Sequence, residues 1–195
     1  RERMTLAFCA LLLGLLFLHG YRTAYEPMVY PLTLAAMGLL AGATMLRNLT
    51  LAALLLELGV ILAVLTIPSR KARSAVTAIQ TLAPLLVAGA LLLVSSWAIE
   101  TRALVPEDVR LVRLGSITVV LGFAIAMAAG PFCLWLPPVF RHGSATAAVT
   151  LGVVLASVVL LRLENMLQAT GWPQAQGIPP RLLLVGGMLT CAMGA

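Results

Sequence analysis

Charge is what this chain has least of. Of its 195 residues 10% are Asp, Glu, Lys or Arg and 61% are hydrophobic, whereas a soluble domain carries about 25% charged residues. Mean hydropathy is +1.03, which excludes an ordinary soluble enzyme and points to lipid as the solvent. Cysteine is scarce as well. Cys9, Cys133 and Cys191 are odd in number, scattered, and each set in an apolar run, so neither a disulfide framework nor a metal-ligand spacing is present and they read as small buried hydrophobes. The two histidines lie at opposite ends of the chain, His19 beside Gly20-Tyr21-Arg22 and His142 beside Arg141, and do not by themselves make a metal site or an acid-base pair. No Walker loop, Gly-rich dinucleotide turn, Ser-His-Asp layout or CxxC occurs, so a soluble catalytic domain is excluded from this stretch and no cofactor or metal is expected. The net charge of +6 comes from thirteen basic residues against seven acidic ones. The basic residues lie almost wholly in the connections, a pattern suited to lipid headgroups and not to nucleic acid.

What the chain does have is apolar runs cut by charge and proline into pieces of about the 17 to 25 residues a bilayer span needs. Seven are legible: Met4 to Gly20, Met28 to Leu46, Leu49 to Ile67, Ala75 to Ile99, Leu114 to Leu136, Ala145 to Leu161 and Leu182 to Ala195. A cleavable signal peptide competes for the first, since Arg1 and Arg3 flank it, but no small-residue cleavage site follows. The last run has 14 residues and no polar flank, and the chain opens on Arg1; both features lead us to expect a piece of a longer polypeptide. If the six complete runs all cross, Arg70, Lys71, Arg73, Arg22 and Arg141 share one side, five in all, against eight on the other. Counting Lys and Arg puts the second side in the cytoplasm.

The connections are short, as between packed antiparallel helices. In "RNLT", Asn48 is placed to cap the next helix by accepting a bond from its first N–H groups, although the same letters form a glycosylation sequon. Pro106-Glu107-Asp108 reads as a helix start, with proline and acids in the first turn.

One ionisable residue sits deep inside a run. Glu57 has eight residues before it to Leu49 and ten after it to Ile67, which puts the interface about 12 Å away at 1.5 Å per residue, beyond a short side chain's reach. A carboxyl group there is either protonated or paired with a cation on a neighbouring helix, and both states suit proton handling. A structural bond between helices is the alternative. Gln80, Ser95, Ser96, Thr118, Thr150 and Ser157 are polar enough to line a path or hold water, Gln80 and Thr118 above all, yet such residues also serve as packing glue between helices.

"GPFCLWLPPVFRHG", residues 130 to 143, interrupts the fifth run. Pro131 lacks a backbone donor and its ring clashes with the preceding turn, Gly130 weakens the helix further, and Pro137 follows close behind. Broken helices at membrane depth occur where backbone lines a cavity or is buried in protein, as at transporter sites. A plain kink or a membrane exit anchored by Trp135 is the competing account.

The stretch "LGFAIAMAAGPFCLWLPPVFRHGSATAAVTLGVVLASVVLLRL" resembles the antiporter-like membrane subunits of respiratory complex I, shared with Mrp-type antiporters and membrane-bound hydrogenases. The family pattern is G-F-x-x-K, four residues, P-F-H-x-W-L-P, then a helix ending in L-L-R. Gly122-Phe123, Pro131-Phe132, Trp135-Leu136-Pro137 and Leu160-Leu161-Arg162 fit it, and Glu57 falls in the family's acidic-helix pattern L-x-L-E-L. The likeness covers Tyr30 to Arg162. It implies a five-helix unit over residues 28–161 with one broken helix, a leading helix at 4–20, and a truncated second unit from 182 to 195. It also implies that Arg70, Lys71 and Arg73 are cytoplasmic, against the charge count. Departures are specific: the broken-helix lysine is Ala126, the histidine after Pro-Phe is Cys133, and the lysine of the next helix is Val153.

The expectation is an all-α, polytopic transmembrane helix bundle with one proline-broken helix. The function implied is that of an antiporter-like subunit of a complex I-related NADH-quinone oxidoreductase assembly in a bacterial plasma membrane or a related energy-transducing membrane. Its partners would be other membrane subunits, the lipid bilayer and protons. A structural subunit without its own ion path, or an unrelated small-molecule permease, are the alternatives.

Overall fold

The computed structural model describes residues 2–23, 28–46, 48–67, 72–102, 109–130 and 132–170. Among them every regular element is helical: α1 (Glu2–Thr23), α2 (Val29–Met45), α3 (Leu49–Leu65), α4 (Ala72–Arg102), α5 (Val109–Ala126), a single 3₁₀ turn (Cys133–Trp135), α6 (Leu136–His142), α7 (Ala145–Val149), a π-helical stretch (Thr150–Leu155) and α8 (Ala156–Thr170). Two helical stretches, Ala75–Thr101 and Ala145–Asn165, are long and apolar enough to cross a membrane, while Val29–Met45, Leu49–Leu65 and Arg113–Ala126 are apolar but shorter. The run Leu182 to Ala195, Pro106 to Asp108, Pro131 and Cys191 lie outside the described residues.

The start of α3 follows from its sequence: the Asn48 side chain accepts from Leu51 N–H at 2.9 Å. This is the capping that "RNLT" leads one to expect, and it satisfies one of the orphan donors of the first turn. Ser144 does the same for α7, accepting from Ala147 N–H at 3.0 Å. Pro84 lies inside α4 without ending it.

Helices α2, α3, α4 and α5 pack in succession, and the π-helical stretch and α8 close against α2, α3 and α5, while α7 meets α1 and α6. Small residues set the spacing. A Cβ on Gly59 of α3 would come within 3.0 Å of Leu40 on α2, and one on Gly122 of α5 within 3.0 Å of Leu92 and 3.2 Å of the Ala88 carbonyl oxygen on α4. Such glycines let backbones approach where no larger residue fits. The core between them holds Ala36, Leu40, Leu56, Val60, Leu92 and Phe123. The opposite faces are also apolar: Leu51, Leu54, Leu58 and Leu65 of α3 are exposed, so apart from Thr50 and Glu57 α3 is apolar on its outer as well as its inner side.

Most of the buried hydroxyls give their protons to their own helix, although Ser96 also lies 3.3 Å from the Thr50 hydroxyl of the neighbouring helix. Thr33, Thr66, Thr81, Ser95, Ser96, Thr118 and Thr150 each donate to a carbonyl three or four residues back on their own helix, at 2.6 to 2.9 Å. A hydroxyl satisfied in this way can be buried without a partner on another helix.

Candidate functional site

Glu57 occupies the ninth of the seventeen positions of α3. It is half-buried, and its carboxyl group lies over Gly89 of α4: a Cβ built on that glycine would meet Glu57 Cδ at 2.9 Å and Oε1 at 3.1 Å. The carboxyl therefore occupies space that any other residue at 89 would need. Seven residues nearer the start of α3, Thr50 faces α4 in the same antiparallel register. Its hydroxyl lies 3.0 Å from Glu100 Oε1 and 3.3 Å from Ser96 Oγ. With one proton to give, it donates to the carboxylate, the stronger acceptor.

The interruption of the fifth run is sharper and earlier than the sequence leads one to expect. The apolar stretch from Leu114 to Leu136 is not one span; α5 begins at Val109 and ends at Ala126. Ala128 takes the left-handed conformation, φ 51°, with its N–H on the Ile125 carbonyl and the next N–H, of Ala129, on the Ala124 carbonyl at 2.8 Å. This pair of bonds around a left-handed residue is the Schellman helix end, built here on alanine where glycine is usual. The placement has a covalent reason: a proline at 131 has no N–H for the carbonyl of residue 127 and its ring crowds that carbonyl, so the helix stops one turn upstream. Gly130 is buried beside this turn.

Trp135 completes the end. It is 3% exposed, and its indole N–H donates to the Ile125 carbonyl oxygen at 2.9 Å. The alternative account of Trp135 as an interfacial anchor is thereby corrected: the ring is inside, tied to the end of α5. Pro137 does not break a helix; it occupies the first turn of α6, where a missing N–H costs nothing.

Among the described residues, the positions where the resemblance would place cationic or imidazole groups stand apart from Glu57. Ala126 is buried as the last residue of α5, Cys133 opens the 3₁₀ turn half-buried, and Val153 is 37% exposed in the π-helical stretch, its carbonyl taken by Ser157 Oγ at 2.8 Å. The two polar lining residues anticipated from sequence also stand elsewhere. Gln80 is exposed on α4, because it falls on the outward side of that helix from Thr77 and Thr81. Thr118 is buried but donates to Leu114 and Gly115 of its own helix. Among the described residues no three His, Cys, Asp or Glu side chains converge on a metal-sized site.

Sequence reasoning missed a second polar locus. The apolar run ends at Leu161, which made Arg162 a terminal residue, yet the helix continues to Thr170. Arg162 is thus inside a helix, and its Nη1 donates to the Leu46 carbonyl oxygen at 2.9 Å. Leu46 is the C-terminal cap of α2, where a cation meets the negative end of the helix dipole. Beside the guanidinium lies a cavity of ≈ 30 Å³ bounded by Ser95, Ser96, Leu56, Leu92 and Phe123. The signal that could have revealed it is the run of charged and polar residues Arg162, Glu164 and Asn165, which continues the helical phase of the preceding valines. No family model, curated protein or solved structure matches this chain.

Proposed function

We propose that this chain is a multi-pass, antiporter-like subunit of a membrane assembly related to respiratory complex I, in which Glu57 binds and releases a proton near mid-membrane. The observation that carries the reading is a carboxyl group at the centre of an apolar helix, pressed on a glycine of the next helix, in a bundle whose α5 is interrupted. A carboxyl group in that setting is costly to keep for packing alone and can hold or give up a proton without leaving the bundle. The apolar outer faces, with Leu51, Leu58, Ile79 and Val87 all more than half exposed, support contact with lipid or with other membrane subunits. The interrupted helix supports the same reading, since backbone that leaves the helical ladder at such depth needs protein or a cavity around it.

A second reading, a scaffold subunit with no ion path of its own, is favoured by one observation. The positions that carry lysine in the family are Ala126 and Val153 here, so Glu57 lacks the cation that would modulate it.

Glu57→Gln separates the two. The amide is nearly isosteric and cannot cycle a proton, so proton movement coupled to electron transfer, measured with a pH-sensitive dye in vesicles holding the whole assembly, should fall at least about tenfold while assembly is unaffected. Normal proton movement in that variant would leave the scaffold reading standing.

A further inference from the structure

We infer that a water-holding mouth, walled by Ser95, Ser96 and Arg162 and rimmed by Thr50 and Glu100, is the route by which Glu57 exchanges protons with one side of the membrane. The inference rests on the reading of Glu57 as a proton-binding group, and it adds the residues that connect that group to bulk water.

The geometry is a row along the α3/α4 contact. At its outer end Glu100 is exposed and accepts from Thr50 at 3.0 Å; Ser96 follows at 3.3 Å from Thr50. Inward of this pair lies the ≈ 30 Å³ cavity, room for about one or two water molecules. A water is held only where it finds two to four polar partners, and the walls carry two serine hydroxyls and a guanidinium. Ser95 and Ser96 spend their protons on Leu92 and Leu93 carbonyls at 2.7 and 2.8 Å, which leaves their oxygens as acceptors. Arg162 lines the cavity from the facing helix, with its Nη1 held on the Leu46 carbonyl. The inner wall is Leu56 and Leu92. Leu56 precedes Glu57, and Leu92 stands three residues from Gly89, under the carboxyl group, an axial separation of about 4.5 Å. Apolar side chains one turn thick therefore separate the cavity from the proton-binding group, thin enough for a transient water to bridge. The transfer balances without any other reactant: a hydronium in the mouth gives its proton to the Glu57 carboxylate and remains as water, and release is the reverse.

Hydroxyl-radical footprinting of the full chain in its native membranes tests the mouth with a probe the size of water, because radicals generated from bound water oxidise the side chains next to it. Leu92 and Leu40 are both buried, 6% and 0% exposed, but Leu92 alone of the two lines the cavity. Leu92 should be oxidised severalfold faster than Leu40; equal rates would overturn the inference. The second arm measures coupled proton movement in the whole assembly. Thr50→Val combined with Ser96→Ala should slow it by roughly tenfold, the rate equivalent of a lost hydrogen-bonded step, and Thr50→Ser should restore it. Glu57→Gln is run alongside. If it leaves proton movement intact, the underlying reading of Glu57 falls. If it abolishes proton movement while the Thr50→Val/Ser96→Ala variant moves protons normally, the reading stands and this route is overturned.

Discussion

Replacing Gly89 with alanine asks whether the Glu57 carboxyl group or the helix contact beneath it is the rigid element. The added methyl would sit 2.9 Å from Glu57 Cδ and 3.1 Å from Cγ, closer than carbon atoms approach. Every atom in the way belongs to the outer part of a three-torsion side chain, so the carboxyl group can swing aside at the cost of about one rotamer, roughly 0.5–1.5 kcal/mol. Alanine in mid-helix returns about 0.5–1 kcal/mol over glycine. The two nearly cancel, and Gly89→Ala should leave stability within about 1 kcal/mol of the parent. Relieving the contact displaces the carboxyl group by at least about half an ångström, and misplacement on the order of an ångström can cost a positioned group about a hundredfold in rate, so coupled proton movement should fall. Gly122→Ala is the control. There the new methyl meets Leu92 Cγ at 3.0 Å and the Ala88 backbone oxygen at 3.2 Å; backbone cannot swing aside, and overpacking of about 1–3 kcal/mol is expected. Stability is read from denaturant titration in detergent by tryptophan fluorescence, and proton coupling from dye quenching in vesicles. A Gly89→Ala protein as destabilised as Gly122→Ala, or one of full stability with unaltered proton movement, would refute the reasoning.

Trp135→Phe removes the indole donor to Ile125 and shrinks a buried side chain; a hydrogen bond worth about 1 kcal/mol and a small cavity together predict a loss of about 2–3 kcal/mol, measured in the same titration. Asn48→Ala should lower stability by about 1 kcal/mol, whereas Asn48→Asp should keep most of it, since either oxygen can cap α3; circular dichroism during the titration checks the helical signal. Ser144→Ala, which uncaps the helix that leads into the π-helical stretch, should cost a similar amount of about 1 kcal/mol by the same measurement.

Much of the architecture is legible because apolar runs and helix signals agree. The runs beginning at Met28, Leu49 and Ala145 match α2, α3 and α7 to within a residue at their starts, and Asn48 marks its helix as its chemistry requires. Glu57 was conspicuous for the same reason, a lone acid in unbroken leucine. Reading fails where tertiary contact decides. Gly130-Pro131 announces a break but not that an alanine at 128 adopts the left-handed turn, and nothing in the letters shows that Trp135 folds inward to hold Ile125. Arg162 was misjudged because hydropathy ends a span at the first charge, while the helix itself ends only where its hydrogen bonds do. Whether a hydroxyl bonds across to a neighbour or back to its own carbonyls depends on rotamer and local backbone, which residue type does not specify; hence Thr50 bonds across to Glu100 while Ser95 bonds back to Leu92.

The widened turn between Thr150 and Leu155 bears on how this helix is compared with others. A π-type turn holds about one residue more than an α-type turn, so it acts as a one-residue insertion absorbed without a loop, and every side chain beyond it is rotated by about 100° relative to an uninterrupted helix. That phase shift sets the azimuth of Arg162, and deleting a residue within the turn should swing the guanidinium off the Leu46 carbonyl. It also means that a residue count through this turn slips by one position against an uninterrupted helix, so the side-chain directions beyond it have to be judged in space.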